Sequence, residues 1–162
     1  MSFQFDSVTY YKTPIGLARI VGDTDGISSI TVIDSNEESS TEIPECLKEC
    51  VIQLEEYFHK DRTSFSLKLN PQGTNFQKEV WQNLQQIPYG TTKSYKTQSK
   101  EMGNVKAIRA IASANGKNPL WIVVPCHRVI GSNGALTGYA GGLWRKRWLL
   151  EHENPPEQQS LF

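Results

Sequence analysis

No stretch of this sequence is apolar over the roughly 20 residues that a membrane-spanning helix requires. The longest apolar run, at 120–124, has only five members. Residues 1–6 also lack the basic start and the apolar centre that are typical of a secretory signal peptide. We therefore expect a protein that neither spans a membrane nor carries a secretory leader.

Cysteine is scarce, with three residues in 162. An odd number does not suit a disulfide framework, and unpaired thiols are typical of the reducing cytoplasm. Cys46 and Cys50 are one helical turn apart, but His59 is the only further candidate ligand near them. Because a structural zinc site usually has four ligands, we interpret both cysteines as ordinary helix residues. We predict a cytoplasmic protein with no bound metal or other cofactor.

The formal net charge is zero, yet the two signs are unevenly distributed along the chain. Residues 1–73 contain six Lys or Arg and twelve Asp or Glu, whereas residues 74–162 contain eleven and five. The two segments therefore carry net charges of −6 and +6. This split predicts that the second segment contacts a polyanion and that the first does not. Solvated surface charge without a partner is the alternative interpretation.

The first segment, 1–73, is predicted to be an α/β domain with a small sheet and one helix. Three strands are expected at 7–11, 17–22 and 27–33. Apolar residues then recur at helical spacing and predict an amphipathic helix from Pro44 to about Lys60. Phe65, Leu67 and Leu69 alternate with polar residues, which predicts a further strand before the segment ends.

The second segment, 74–154, is predicted to be mostly helical. Thr74 and Gln77 match a capping box at the start of a helix, and Phe76, Val80 and Leu84 would form its apolar face. After a glycine-rich loop, a last helix is expected at 143–153. The tail at 155–162 contains two prolines and is expected to be flexible.

Between these helices, two further helices at 94–102 and 105–115 flank a tight turn at Gly103, which is the outline of a helix-turn-helix. The second of them is rich in alanine, and Lys106 and Arg109 are its only long polar side chains. Such a thin helix can approach a DNA backbone or a shallow groove closely, but it carries little sequence information. A helical hairpin packed by alanines is the alternative. The predicted fold class is therefore α+β, with a small N-terminal sheet and helix followed by a mostly helical domain.

The apolar run at 120–124 predicts a buried strand, and Pro125 would end it because proline donates no hydrogen bond to a sheet. Cys126 would lie at the end of that strand. A protonated His127, together with Arg128, would lower the pKa of the thiol and make Cys126 reactive. An inert buried cysteine is the alternative that these residues leave open.

The segment Pro125-Cys126-His127-Arg128-Val129 resembles the active-site signature of the bacterial O6-alkylguanine-DNA alkyltransferases, also called methylated-DNA–protein-cysteine methyltransferases. Four other segments agree with that family in order and spacing: Ile87-Pro88-Tyr89-Gly90, Ser94-Tyr95, the Arg109 helix with Gly116-Lys117-Asn118-Pro119, and Gly138-Tyr139-Ala140-Gly141-Gly142 continuing to Glu153. The resemblance is specific from about residue 74 onward, whereas 1–73 shares only the outline of the family's N-terminal domain. Vertebrate members hold a zinc ion near the N-terminus, but no Cys or His precedes Cys46 here.

The resemblance implies DNA repair by direct, irreversible transfer of an alkyl group from guanine O6 to Cys126, with O4-alkylthymine as a second candidate substrate. Attack on the alkyl carbon requires a strong, soft nucleophile, and a thiolate meets that requirement. Because the thioether product is stable, each molecule would act once. The implied partner is alkylated DNA of any sequence, with the guanine flipped out of the duplex, and the protein would act as a monomer.

Roles for ten residues follow from the same resemblance. Glu153 would hold His127, which would take the proton of Cys126 through a water molecule. Asn118 would orient the site, and Tyr95 would turn the nucleotide out and protonate the departing guanine. The expected substrate-binding residues are Arg109 in the gap left by the flipped base, Val129 and Ala140 at the guanine edge through their main chains, Tyr139 as a pocket wall, and Arg128.

Two other functions are compatible with the residues alone. A hydrolase would use Cys126 and His127, but it would need an oxyanion hole and would turn over an ester or amide. A DNA-binding protein without catalysis would use only the helix-turn-helix. Non-catalytic members of the resembled family replace the cysteine, so the presence of Cys126 counts against this second alternative.

Overall fold

The computed structural model describes residues 6–156, which form two compact units. The first unit runs to Gln72 and also includes Pro119–Trp121, and the second comprises Gly73–Asn118 and the chain from Ile122 onward. Most of the tail that was predicted to be flexible, from 157 to 162, lies outside the described residues. Within the described part, no helix combines the length and the apolar character needed to cross a bilayer.

The first unit contains an antiparallel sheet of three strands in the order β1-β2-β3. The strands are β1 (Ser7–Thr13), β2 (Gly16–Asp23) and β3 (Gly26–Ile33), as the sequence predicts. Gly26 begins β3 with a φ of +138°, and a Cβ there would lie only 2.8 Å from the carbonyl oxygen of Lys68. Both the positive φ and the close approach require glycine at this turn.

The outer edge of β1 is covered by the acidic, serine-rich loop that follows the sheet. Backbone N–H groups of Tyr10 and Lys12 donate to the hydroxyl oxygens of Ser40 and Ser39, at 3.0 and 2.8 Å. An uncovered edge offers its backbone groups to strands of other molecules. Two serine hydroxyls therefore accept the backbone N–H groups that an additional strand would otherwise bind at this edge.

Helix α1 (Glu45–Phe58) confirms the predicted amphipathic helix, and it packs against the sheet. The strand predicted at Phe65, Leu67 and Leu69 is wrong, because only Leu69 forms a β-bridge, to Ile27. The backbone N–H of Ser66 donates instead to the side-chain oxygen of Gln53, at 2.9 Å. This segment is therefore held by a helix side chain rather than by a sheet ladder.

The strand predicted at 120–124 is also wrong, although all five residues are buried as expected. Leu120 alone forms a bridge, to Ile30 of β3. Ile122 then adopts a left-handed φ of +71°, which a β-branched residue rarely occupies. The chain turns at this point, and it reaches Pro125 without forming a strand.

Helix α2 (Asn75–Leu84) opens the second unit with the predicted capping box. The backbone N–H of Gln77 donates to the Thr74 hydroxyl at 3.1 Å, and the N–H of Thr74 donates to the Gln77 side chain at 3.0 Å. Val80 and Leu84 are buried as predicted, whereas Phe76 is 38% exposed.

The predicted helix-turn-helix consists of α3 (Tyr95–Glu101) and α4 (Ile108–Gly116), with a short 3₁₀ helix, Val105–Ala107, before α4. Two strands of two residues each, β4 (Lys93–Ser94) and β5 (Val129–Ile130), pair in parallel and place the start of α3 beside the Cys126 segment. Helix α5 (Leu143–Glu153) has the predicted bounds. A three-stranded sheet followed by a mostly helical part confirms the predicted fold class.

We predict that Thr74→Ala lowers the free energy of unfolding by about 0.5–2 kcal/mol, since it leaves an N–H at the start of α2 without its acceptor. Urea denaturation measures this loss. Thr74→Ser retains the hydroxyl and should recover most of it. Equal losses for the two variants would contradict the role assigned to the cap.

Candidate active site

The carboxylate of Glu153, at the end of α5, lies in the interior of the second unit with a residue exposure of 7%. The Nε2 of His127 lies 2.6 Å from its Oε2. Arg128 donates to both carboxylate oxygens, from Nε at 2.8 Å and from Nη2 at 3.0 Å. The backbone N–H of Gly90 adds a longer bond of 3.3 Å. A single carboxylate thus joins α5, the Cys126 segment and the Gly90 turn.

Burial alone would raise the pKa of Glu153, but the hydrogen bonds and charges of His127 and Arg128 outweigh it and hold that pKa well below its usual range. Burial lowers the pKa of His127, although Glu153 acts to raise it. The pair is therefore an ionised carboxylate and a neutral imidazole. Nε2 must then carry the proton that it donates to Glu153, so Nδ1 bears a lone pair. Within 6–156, this buried Nδ1 has no hydrogen-bond partner.

Arg128 differs from its expected role in substrate binding. The residue is only 6% exposed. Its Nη1 donates to the carbonyl oxygen of Ile87 at 2.7 Å, and its other donors are directed at Glu153. These contacts favour a role in which Arg128 keeps Glu153 ionised and in place.

Cys126 begins a 3₁₀ helix, Cys126–Arg128, and keeps part of its surface exposed. Asn118, just after α4, donates to the carbonyl oxygen of Val124 at 2.7 Å and so connects the helix-turn-helix to the turn before the cysteine. The same oxygen accepts the backbone N–H of Cys126 at 2.9 Å. This contact is compatible with the orienting role that the resemblance implies for Asn118.

The thiol of Cys126 is harder to ionise than the sequence predicts. Burial raises its pKa, against the opposing effects of a hydrogen bond from Asn118 and the charge of Lys146. His127 supplies no cation because its imidazole is neutral, and the guanidinium of Arg128 is paired with Glu153. The prediction of a thiol with a lowered pKa is thus wrong.

A pocket of about 580 Å³ opens between α4 and the loop before α5, and it includes three residues of the predicted site: Tyr95, Arg109 and Tyr139. The rest of its lining is mostly small, with Ala112, Gly116 and Gly138 among it. Val129 is fully buried in β5, and Ala140 is exposed in the loop. Neither belongs to the lining of this pocket.

The outer surface of the helix-turn-helix carries a set of exposed cations. Arg109 of α4 is exposed, and a Cβ added at Gly116 of the same helix would meet no atom within 4 Å. Lys93 is instead paired with Glu101. The exposed cations of this surface are Lys96, Lys100, Lys106, Arg109 and Lys117.

The sequence did not single out Lys146, which is completely buried in α5. Its Nζ donates to the carbonyl oxygen of Thr137 at 2.8 Å. Burial lowers its pKa to about 8, while the charge of Cys126 acts to raise it. The sequence feature that could have identified Lys146 is helical spacing, because Lys146, Leu149 and Glu153 lie on one face of α5. No cluster of His, Cys, Asp or Glu suited to a metal occurs in the described part of the chain.

Comparison with known proteins relates both units to one family. Residues 75–155 match the family described as 6-O-methylguanine DNA methyltransferase, DNA binding domain, and 7–71 match its ribonuclease-like domain. A methylated-DNA–protein-cysteine methyltransferase of Methanosarcina acetivorans is 45% identical, with 88% of this chain and 95% of the relative covered. One of Mycolicibacterium paratuberculosis is 44% identical over 94% of this chain and 98% of the relative.

Solved structures agree in fold. The crystal structure of Mycobacterium tuberculosis OGT in complex with DNA has a TM-score of 0.80 and 41% identity, and it covers 89% of this chain and 90% of that one. The O6-methylguanine methyltransferase of the same organism gives a TM-score of 0.81 at 36% identity, over 98% and 100% of the two chains. With both units matched and relatives above 40% identity along nearly their whole length, this chain belongs to the methylated-DNA–protein-cysteine methyltransferase family.

Proposed function

We propose that this protein repairs DNA by moving the alkyl group of O6-alkylguanine irreversibly onto the Sγ of Cys126. The arrangement of Glu153 and His127 carries the proposal. Burial lowers the pKa of His127 and so favours a neutral imidazole. Its Nε2 lies 2.6 Å from Glu153, and its Nδ1, on the residue next to the cysteine in the chain, has no partner within 6–156. Such a nitrogen is suited to accept the thiol proton, through one water molecule.

In the proposed reaction, the proton of Cys126 passes to Nδ1 of His127, and Glu153 stabilises the resulting imidazolium. The thiolate attacks the alkyl carbon, a new carbon–sulfur bond forms and the carbon–oxygen bond to guanine breaks. The electron pair of that bond remains on the guanine, which takes a proton from the Tyr95 hydroxyl. The proton held by His127 then returns through solvent to the tyrosinate, so that both side chains end in their starting states. The products are a thioether and unmodified guanine. Because nothing regenerates the thiol, one molecule repairs one lesion.

The raised pKa of Cys126 suits this sequence of events. A thiol that stays protonated at rest is protected from adventitious electrophiles, since the thiolate is the reactive form. The thiolate formed from a thiol of higher pKa is also intrinsically more nucleophilic. The histidine therefore has to remove the proton only when a substrate occupies the site.

DNA binding is assigned to the helix-turn-helix. The exposed cations described above match a phosphate backbone, and the small residues of α4 let that helix approach a groove closely. Neither feature distinguishes one base sequence from another, so binding would be independent of sequence. Arg109 would occupy the space left in the duplex, and the flipped guanine would enter the pocket beside Tyr95 and Tyr139.

Residues 74–154 would thus perform both binding and transfer, whereas 1–73 has no assigned chemistry. We further propose a monomeric protein in the cytoplasm. All three cysteines are free, as expected of thiols in a reducing compartment. A nucleophilic thiol that acts once depends on such an environment, because oxidation would consume it.

Incubation with DNA that contains O6-methylguanine should add one methyl group per molecule, on the peptide that contains Cys126. Intact-protein and peptide mass measurements detect it. Cys46→Ser should react like the parent, and Cys126→Ser should not react. A methyl group on Cys46 or Cys50, or repeated turnover of substrate, would overturn the proposal.

Replacement of Arg109 by alanine should slow repair of a lesion in duplex DNA more than reaction with free O6-benzylguanine, because only the duplex requires a nucleotide to flip. The ratio of the two rate constants measures this difference. Lys106→Ala is the matched control, since it removes an exposed cation of the same surface. It should weaken DNA binding without changing reaction with the free base. Equal losses on both substrates for Arg109→Ala would argue against an arginine in the stack.

For Glu153→Gln we expect alkyl transfer to slow by about 10²-fold or more, as is typical when acid–base assistance is lost. Stability should also fall, by about 3–5 kcal/mol, since Arg128 keeps its charge without a buried partner. The pKa of Glu153 is lowered by folding. Its contribution is therefore complete above the unfolded pKa of about 4.3 and is lost as the pH falls toward the folded value.

Glu151→Gln provides the control, because that residue is exposed one half-turn away on the same helix. The stability difference between parent and Glu153→Gln should shrink in acid, as followed by urea titration at several pH values. Transfer at the parent rate by Glu153→Gln would remove this carboxylate from the mechanism.

A further inference from the structure

The loop before α5 ends in a tight turn at 139–142, in which the backbone N–H of Gly142 donates to the carbonyl oxygen of Tyr139 at 2.9 Å. The carbonyl of Gly141 belongs to the same peptide group as that N–H. It accepts a hydrogen bond at 2.9 Å from Nη1 of Arg145, in the first turn of α5. This peptide group is therefore held at both of its ends.

A peptide group between two glycines gains much from such a bond. Glycine populates φ angles of either sign, and Gly142 has a φ of +91°. Rotation of the peptide group at 141–142 would therefore meet little steric resistance. It would turn the N–H away from Tyr139 and open the turn. The bond from Arg145 favours the one orientation in which the turn closes, and a charged donor forms a stronger bond than a neutral one.

The guanidinium of Arg145 is itself held in place. Only 5% of the residue is exposed. Its guanidinium carbon lies 4.4 Å from the centre of the Trp144 ring, which is a cation–π contact. The same ring lies close to Gly142, since a Cβ there would be 3.4 Å from its Cδ1. Trp144 is 55% exposed, and it thus links the guanidinium to the turn from the surface of the protein.

The turn affects the pocket through Tyr139, which lines it together with Thr137 and Gly138. At the start of this segment, the carbonyl oxygen of Thr137 accepts a hydrogen bond from the hydroxyl of Tyr95 at 3.3 Å. Just after its end, the segment continues into the peptide group that Arg145 holds. Arg145 therefore fixes the end of the pocket wall that carries the Tyr139 ring.

We propose that Arg145 is a positioning residue that determines which alkyl groups are transferred, because it holds the Tyr139 wall of the pocket in place with the support of Trp144. The inference rests on the proposed function, in which the flipped guanine enters that pocket. A fixed wall keeps a small alkyl group close to its required position, whereas a larger group has to displace the wall. Arg145 acts through the loop and exchanges no bond with the substrate.

The first test is Arg145→Met, which retains a long side chain and removes the donor. The rate constants for methyl and benzyl transfer are measured on duplexes that differ only in O6-methylguanine or O6-benzylguanine. Methyl transfer should slow about tenfold, since a misplacement of about 1 Å can cost as much as roughly 10²-fold. Benzyl transfer should slow less, because a loosened wall admits the larger group. The ratio of benzyl to methyl transfer should therefore rise.

Arg147→Met is the matched control, because it removes an exposed charge two residues further along α5. It should keep the parent ratio. Arg145→Lys retains a cation and a donor, and it should recover part of the change. A variant that is only destabilised would lose both activities in proportion. A folded Arg145→Met protein with the parent ratio would therefore overturn the proposal.

The second test leaves Arg145 in the chain. Trp144→Ala removes a largely exposed side chain, and it should shift the ratio in the same direction as Arg145→Met. Trp144→Phe keeps an aromatic ring and should restore the parent ratio. Because both residues act on the same turn, Trp144→Ala should add little to the effect of Arg145→Met. The parent ratio in Trp144→Ala would overturn the proposal even if Arg145→Met failed to fold.

Hydrogen exchange of the Gly142 amide, followed by NMR, tests the turn without the repair reaction. This amide should exchange faster in Arg145→Met and in Trp144→Ala than in the parent, and at the parent rate in Arg147→Met. Equal exchange in the parent and Arg145→Met would overturn the inference. A parent that transfers no alkyl group, but whose Gly142 amide loses protection in Arg145→Met, would overturn the proposed function and leave the role of Arg145 in the turn standing.

Discussion

The carboxylate of Glu153 carries a negative charge inside the second unit, and the surrounding structure compensates it. Its position at the end of α5 is unfavourable, because the carbonyl end of a helix repels an anion. Arg128 and His127 offset that cost with short hydrogen bonds. The need to satisfy this charge fixes the start of the Cys126 segment against α5, and it also fixes the tautomer of His127. Two turns earlier, α5 delivers Lys146 to the same side of the site.

Local rules predict much of the fold from the sequence. The three strands of the sheet follow from alternation and turns, and Thr74 and Ser94 mark helix starts because their hydroxyls accept backbone N–H groups. The predictions that were wrong depend on contacts between residues that are distant in the sequence. The apolar run at 120–124 is buried, but a left-handed Ile122 turns it away from β3 after a single bridge. The pattern of apolar residues predicts which residues are buried, but it does not predict which strand is available to pair with their backbone.

The candidate active site also combines features that the sequence predicts with features that it does not. The family resemblance of the cysteine motif and of the segments around it predicts Cys126, His127, Asn118 and Glu153 as site residues, and the structure brings these residues together around one turn and one helix end. The sign of the pKa shift at Cys126 was not predictable, because it depends on how far burial exceeds the nearby charge. Lys146 was missed for a related reason. In a run of three basic residues, the sequence does not show that Arg145 and Lys146 are buried while Arg147 is exposed.

The segment Pro119–Trp121 belongs to the first unit although it precedes the nucleophile by only a few residues. The bridge between Ile30 and Leu120 joins positions ninety residues apart, and Trp121 packs against Phe58 of α1, with 6.2 Å between ring centroids. During synthesis from the N-terminus, the sheet and α1 therefore emerge long before their last packing partner. The first unit cannot complete its packing until Pro119–Trp121 has been synthesised, which happens after the helix-turn-helix segment that precedes it. Until then, the β3 edge that pairs with Leu120 and the apolar surface that packs against Trp121 stay uncovered. Such delayed long-range closure slows folding and prolongs exposure to aggregation.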